Sequence, residues 1–237
     1  MPNEDKYKKF LESNYELLER FREIAPGTYK HCQNVSNICE AIALELTLNP
    51  DFMKVIGMYH DIGKIFFPLH FSENQPGNQN IHDDIVPSFS YHLITRHVGD
   101  GILLLLQNDF PIDVIKAISE HHGDMILRQF HAKDSKTPED NYRYKCMKPS
   151  STESVILMLV DTVEASTRSR ILNSEKNSED IADTVREIVS ESVERLDQDD
   201  QLDSILHGTI KIAKRILVRE LESVYHKRVS YPKKSES

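Results

Sequence analysis

The run Val155-Ile156-Leu157-Met158-Leu159-Val160 continues through Asp161 and Thr162 to Val163 with one charged residue in it. A helix that is apolar on most faces has to be surrounded by other elements, so this segment predicts a buried helix over 154–169. A carboxylate carried inside on such a helix is costly unless it meets a hydrogen-bond donor or a cation. Asp161 therefore demands a partner. The chain has helices to do the surrounding. Among 237 residues there are only eight Gly and ten Pro, and no Trp. Turns are correspondingly few, which favours an all-α fold over a sandwich or barrel. A content of 39% hydrophobic and 28% charged residues suits a globular protein with an adequate core.

Apolar positions at helical spacing predict helices over 4–24, 28–48, 51–62, 88–108, 111–122, 125–132, 178–196 and 206–225 as well. Ala25-Pro26-Gly27 and Asn49-Pro50 punctuate the first three. Two polar loops, 66–87 and 133–151, interrupt the series. The first follows directly on His60-Asp61, and structureless loops of that length in a compact domain are usually functional or disordered. A functional loop is the reading taken. The expected organisation is one domain over 1–237, with a core at about 26–170 and a C-terminal helical extension at about 171–232.

Thirty-eight acidic against 29 basic residues leave a net charge of −9. That argues against long nucleic acid, whose phosphates require a basic surface. A small nucleotide stays open, because a bound metal supplies positive charge locally. Cys32, Cys39 and Cys146 lack Cys-x-x-Cys spacing and read as free thiols, the first two buried. Met1 to Phe10 is charged, without the apolar core of a signal peptide, and the longest apolar stretches are too short to span a bilayer. A cytoplasmic chain is expected. The amphipathic first helix and the acidic tail read as core packing and a solvated face, with a homodimer contact as the alternative.

Histidines and acids supply the chemistry. His60-Asp61 closes the apolar run Val55-Ile56-Gly57-Met58-Tyr59, although a lone His-Asp pair is weak evidence of anything. His121-His122 before Gly123 places two imidazoles near one point; a solvated helix end, where protonated His favours the dipole, is the competing reading. His31 and His97 taken singly would be ordinary polar-face histidines. Together with Asp161 these residues form the order His … His-Asp … His … His-His … Asp, far more specific than any part of it. Imidazole and carboxylate without thiolate suit Fe, Mn, Zn or Co rather than a structural cysteine-zinc site. Four ligands hold one metal, so seven invite two, with one carboxylate shared.

His60-Asp61-Ile62-Gly63-Lys64 and this series resemble the HD superfamily of phosphohydrolases, in its two-metal branch. Within that branch the sequence resembles the cytosolic HD domains of seven-transmembrane HD receptors, which hydrolyse cyclic di-AMP. The segments that carry the likeness include Phe71-Ser72-Glu73-Asn74-Gln75, Ile81-His82-Asp83, Ile94-Thr95-Arg96-His97-Val98 and Asp161-Thr162-Val163-Glu164-Ala165. It extends into the tail through Asp200-Gln201-Leu202-Asp203 and the stretch from Tyr225 to Pro232.

The resemblance implies a helical HD bundle with added C-terminal helices and two divalent transition-metal ions, iron or manganese. It implies that His31, His60, Asp61 and Asp161 hold one ion. Asp61 would bridge to a second ion, held by His97, His121 and His122. Lys64 would contact the scissile phosphate, and Lys64, Asn74, Arg143 and Tyr144 would face the substrate, a cyclic dinucleotide. By the same likeness the chain is either free-standing or the cytosolic domain of an inner-membrane protein.

One departure stands out. The family's Arg-Tyr-Pro-Gly-Pro-Lys-Pro is here Arg143-Tyr144-Lys145-Cys146-Met147-Lys148-Pro149, which alters the stiffness of that loop. A cyclic di-GMP phosphodiesterase of the HD-GYP branch is the alternative enzyme, but no Gly-Tyr-Pro follows His121-His122. A one-metal nucleotide phosphohydrolase leaves the extra histidines without a use. A catalytically silent nucleotide-binding module is the reading from a different class.

Overall fold

The structure, a computed structural model, describes residues 6–77, 80–172 and 178–229. The first five residues, 78–79, 173–177 and 230–237 lie outside this description, including the end of the Tyr225-to-Pro232 match and parts of the 66–87 loop and the C-terminal extension. Nine α-helices are described: α1 (Glu16–Ile24), α2 (Pro26–Leu46), α3 (Pro50–Tyr59), α4 (Pro87–Gln107), α5 (Ile112–Ser119), α6 (Arg128–Lys133), α7 (Thr152–Leu172), α8 (Ser178–Gln198) and α9 (His207–Val229). Among the described residues there is no β-strand, only an isolated bridge between Ile126 and Arg143. No helix there is long and apolar enough to cross a membrane.

The apolar run on α7 is fully enclosed, with Val155 to Val160 and Val163 at 0% exposure. Helices α2, α3, α5, α8 and α9 all pack on it. Each such side chain, fully buried, contributes roughly 1.5–3 kcal/mol from removal of its surface from water. The main core runs from Tyr7 to Tyr225, and a smaller cluster joins Tyr91, Phe130 and Tyr142.

Helix α7 runs to Leu172 and α9 to Val229, beyond the expected 169 and 225, and four other departures from the expected helix boundaries have a visible physical cause. A single helix over 4–24 is replaced by a 3-10 turn, Lys8–Leu11, and then α1, with Glu12 extended between them. Phe10 is held out of register by tertiary contacts: it stacks on Phe110 at 3.9 Å, and the Tyr59 hydroxyl donates to its carbonyl at 2.6 Å. Helix α3 stops at Tyr59 rather than 62, and a 3-10 turn, Ile62–Phe66, follows against α4. Helix α5 ends at Ser119, so His121 and His122 sit in the turn beyond it, before Gly123 in the left-handed conformation (φ +52°). Residues 125–127 are held out of the helix by backbone hydrogen bonds between Leu127 and Tyr142 and between Tyr144 and Met125, which leaves α6 with six residues.

Two glycines make the α3–α4 junction this close. A Cβ on Gly63 would lie 2.0 Å from the His97 carbonyl oxygen and 2.5 Å from the Gly101 nitrogen, both rigid backbone. Gly101 in turn faces the Gly63 nitrogen. The turn that carries His60 and Asp61 is therefore pressed onto α4 beside His97. Gly63→Ala should destabilise the fold by about 2–3 kcal/mol, since neither backbone can give way. Gly99→Ala, on the open face of the same α4 with nothing within 4 Å, should instead stabilise by up to about 1 kcal/mol. Urea midpoints of the two variants check the contrast, and equal shifts would contradict it.

Candidate metal centre

Five segments converge on one point. His31 comes from the second turn of α2, whose start is fixed by Pro26 and by the Asn74 Oδ1 atom, which accepts from the Gly27 and Thr28 amides at 2.9 and 3.1 Å. The turn after α3 supplies His60 and Asp61, α4 supplies His97, the turn after α5 supplies His121 and His122, and α7 supplies Asp161. All are buried except His122, which is partly so.

They form two sets that share Asp61: His31, His60, Asp61 and Asp161, and Asp61, His97, His121 and His122. Within each set the candidate ligand atoms lie within 4.8 Å of one another. Asp61 divides its oxygens between them. Oδ2 is 3.4 Å from His60 Nε2 and 3.8 Å from His31 Nε2, while Oδ1 is 3.2 Å from His97 Nε2 and 3.9 Å from His121 Nε2. Asp161 Oδ1 lies 3.0 Å from His31 Nε2 and 3.5 Å from His60 Nε2.

Ring orientation is set from behind. The Nδ1–H groups of His60, His97 and His121 donate to the carbonyls of Gly57, Ile94 and Ile118, each three residues earlier, at 2.9, 2.7 and 2.6 Å. With that nitrogen committed to the backbone, loss of any second ring proton leaves Nε2 as a lone pair aimed inward, as a metal requires. His31 differs. Its Nδ1 makes a short hydrogen bond to Glu164, which also accepts from Asn34 at 2.8 Å and from the Tyr225 hydroxyl at 3.3 Å.

The electrostatics of the two sets are opposite. Burial works against charge on His31, but Glu164 and Asp161 outweigh it and lift the pKa to about 10. His60 is also raised well above the usual imidazole range, where Cys32, Asp61 and Asp161 overcome burial. Burial, reinforced by His60 and His97, instead drives His121 down to about 3. His122 is depressed for the same reasons, burial first and then His121 and His97. In the second set imidazole faces imidazole: His97 Nε2 is 3.4 Å from His121 Nε2 and 3.2 Å from His122 Nε2. Lone pairs do not approach so closely without a cation or proton between them. His60 Nε2, Asp61 Oδ1 and His122 Nδ1 are moreover buried without a hydrogen-bond partner. Such unsatisfied atoms, of nitrogen and carboxylate type, fit a divalent transition metal in each set.

Lys64 closes one side. Its Nζ lies 2.7 Å from Asp61 Oδ2, 3.1 Å from Glu73 Oε1 and 4.5 Å above the centre of the Phe71 ring. Against burial, Asp61 and Glu73 keep it firmly protonated. A cavity of about 290 Å³ opens over these groups, lined among others by His31, Asp61, Lys64, Phe71, Tyr144 and Asp161. It adjoins a lobe of about 310 Å³ with which it shares His122, Gln129, Tyr144, Asp161 and Ala165. A larger cavity of about 770 Å³, between α4 and residues 144–147, contains none of the seven candidate ligands.

Of the four side chains expected at the substrate, Lys64 and Tyr144 line the cleft, and the Tyr144 ring stacks on His122 at 4.2 Å. Asn74 and Arg143 are not among the lining residues. Asn74 caps α2 and donates to Thr28 Oγ1 and the Pro68 carbonyl, which occupies both ends of its amide. Arg143 is tied to the Asp124 carbonyl and Asp140. Conversely, Glu73, Glu164 and Arg168 surround the site without having been singled out. Glu164 carried a signal, since it is a second acid in the helix that made Asp161 conspicuous; Glu73 and Arg168 carried none.

Comparison with known proteins agrees with this geometry. Residues 28–166 match the HD domain family. The chain is 34% identical over 223 residues to the cyclic-di-AMP phosphodiesterase PgpH of Listeria monocytogenes and 33% identical over 223 residues to that of Bacillus subtilis. Each match covers 92% of this chain but only 30% and 31% of those proteins, so the chain spans under a third of their length. The isolated HD domain of the Listeria phosphodiesterase superposes with a TM-score of 0.82 at 34% identity, and its complex with cyclic-di-AMP with a TM-score of 0.81 at 33% identity. Both cover 90% of this chain and all of that domain. With the helical fold, the ligand order and the family match in agreement, this chain belongs to the HD domain family.

Proposed function

We propose that this chain is a two-metal phosphodiesterase that opens cyclic di-AMP to the linear dinucleotide, with iron or manganese as its ions. The observation that carries the reading is the division of the Asp61 oxygens between two ligand sets, each completed by three further N or O donors. His31, His60, Asp61 and Asp161 would hold one ion, and Asp61, His97, His121 and His122 the other. When bound, the pair would acidify water for in-line attack on phosphorus and offset charge on the non-bridging oxygens. The protein's own part is orientation and charge. Backbone carbonyls and Glu164 fix the imidazoles, and Lys64 presents a permanent ammonium beside Asp61 for a phosphate oxygen. Cyclic di-AMP is favoured because the Listeria relative is a cyclic-di-AMP phosphodiesterase whose HD domain is seen with that nucleotide.

Protein purified without chelator and reconstituted with manganese or iron should carry close to two ions per chain by elemental analysis; one ion or none would contradict the dinuclear reading. Asp61→Ala should lower occupancy of both sites, whereas His97→Ala should chiefly empty the second and leave helicity unchanged. Turnover should fall by about two to three orders of magnitude in both, equivalent to ~3–4 kcal/mol of transition-state stabilisation. If His97→Ala keeps both ions and near-normal turnover, its assignment as a ligand is wrong.

Cyclic di-AMP should be consumed before cyclic di-GMP in a competition assay at equal concentrations. Preference for the guanine compound would reverse the assignment of substrate.

Metal uptake should also release protons. A histidine must be deprotonated to ligate. His31 stays protonated in the metal-free protein up to a pH of about 10, and that charge is present at neutral pH and lost only as pH rises through that value. Calorimetric enthalpies of manganese binding at pH 7.5 should therefore depend on the ionisation enthalpy of the buffer, and metal affinity should strengthen with rising pH. Identical enthalpies in all buffers would refute it.

A further inference from the structure

We infer that Arg168 anchors the phosphate of the cyclic dinucleotide that is not being cleaved. The inference rests on the reading proposed above and assigns a specific contact within it. Asp161, Ala165 and Arg168 occupy one face of α7 and all line the same cleft. Ala165 presents only a methyl group between the other two, so a ligand can lie along this face from one to the other.

Arg168 has unused donors. Its side chain is only 19% exposed, yet among the described residues none of its five N–H groups makes a hydrogen bond, and Nε is buried without a hydrogen-bond partner. It is balanced in charge by Glu164 and Glu73, but only at 3.6 and 3.9 Å. Both carboxylates are committed more closely elsewhere. Glu164 is engaged by His31 and Asn34, and Glu73 by Lys64 at 3.1 Å and the Thr28 hydroxyl at 3.0 Å. A planar guanidinium held in this way at the wall of a cleft, without hydrogen bonds of its own, matches a phosphate in two-pronged fashion.

Its position favours the second phosphate over the scissile one. Lys64 already sits against Asp61, at the junction of the two ligand sets. Arg168 lies one carboxylate further out, linked to Lys64 through Glu73, and seven residues along α7 from Asp161, roughly 10 Å along the axis. A cyclic dinucleotide carries two phosphates in one ring. A site that neutralised only the reacting one would leave the other as an unpaired charge at a partly buried surface. In the adjoining lobe, Arg128 and Arg195 are both exposed to water, and Arg128 is paired with Glu139 and Asp199.

The test uses full-length chain loaded with manganese, as wild type, Arg168→Ala and Arg168→Lys. Metal per chain, KM and kcat are measured on cyclic di-AMP and on bis(p-nitrophenyl) phosphate, which has a single phosphate. A contact remote from the reacting atoms contributes equally to ground and transition states, so its loss appears in KM. Arg168→Ala should raise KM for cyclic di-AMP about 10- to 100-fold, the range for a lost charged hydrogen bond. The KM effect on cyclic di-AMP should exceed any change in kcat, metal content or kinetics on the single-phosphate diester by about tenfold or more, and Arg168→Lys, which keeps the charge beside Glu164 and Glu73, should recover part of the loss. An unchanged KM overturns the inference. Equal losses on both substrates place Arg168 at the scissile phosphate instead, and loss of metal makes it a support for Glu164 and His31; either result also overturns it. The wild type is the separate check: failure to cleave cyclic di-AMP defeats the parent reading, whereas normal cleavage with an unaffected variant defeats this inference alone.

Discussion

The Asp61 carboxylate is where every other constraint in this protein meets. One oxygen faces His31, His60 and Lys64, and the other faces His97 and His121. Asp61 sits at φ −103°, ψ 12°, just beyond the end of α3, and its chain continues into a 3-10 turn. The turn reaches α4 only because Gly63 and Gly101 have no side chains where the two backbones meet. That close approach is what sets His97 3.2 Å from Asp61 Oδ1. The absence of a Cβ at Gly63, which would meet the His97 carbonyl at 2.0 Å, thus permits the contact that joins the two ligand sets.

The two sets solve the problem of buried polarity in different ways. The first contains two carboxylates, and in the metal-free protein raised imidazole pKa values compensate them, with His31 and His60 retaining protons. The second has three imidazoles and a single carboxylate oxygen, and burial keeps His121 and His122 neutral. The first set is therefore the more anionic and is already organised around positive charge. The second brings imidazole nitrogens within 3.2–3.4 Å of one another. Such an arrangement is maintained by the backbone carbonyls that clamp His97 and His121 from behind, a case of polar groups pre-positioned by the fold rather than by the ligand.

The sequence was legible where a residue's chemistry conflicted with its surroundings. Asp161 stands out because an acid inside Val155–Val163 has no ordinary explanation, and the buried α7 follows from the same observation. His60-Asp61 and His121-His122 were visible as pairs, but their placement in turns just past α3 and α5 was not, because apolar periodicity runs on to the pair and does not reveal where the helix stops. The break between Lys8–Leu11 and α1 was hidden for a related reason: it is imposed by Phe110 and Tyr59, distant in sequence. Asn74 and Arg143 were expected at the ligand because the segments holding them resemble the family's, yet Asn74 is consumed in capping α2. A matched motif fixes the presence of a residue and leaves open whether its side chain faces ligand or backbone.

What the sequence hid most thoroughly is the layer behind the ligands, because it is assembled from elements far apart in the chain. Glu164 on α7 holds His31 on α2 and receives hydrogen bonds from Asn34 and from Tyr225 on α9. Glu73, from a later 3-10 turn, Ser72–Asn74, receives Thr28 at the start of α2 and holds Lys64. Arg168 balances both acids. The consequence is that α9, whose sequence contains no candidate ligand, reaches the first ligand set through one hydroxyl and one carboxylate. Tyr225 is itself fully buried, and Leu217 and Leu221 on the same helix are buried with it. Packing of the C-terminal helices onto α7 and α2 therefore sets the position of Glu164, and through it the ring orientation of His31. In this fold the hydrophobic core and the polar centre are one mechanical unit, joined along the single helix that carries Asp161, Glu164 and Arg168.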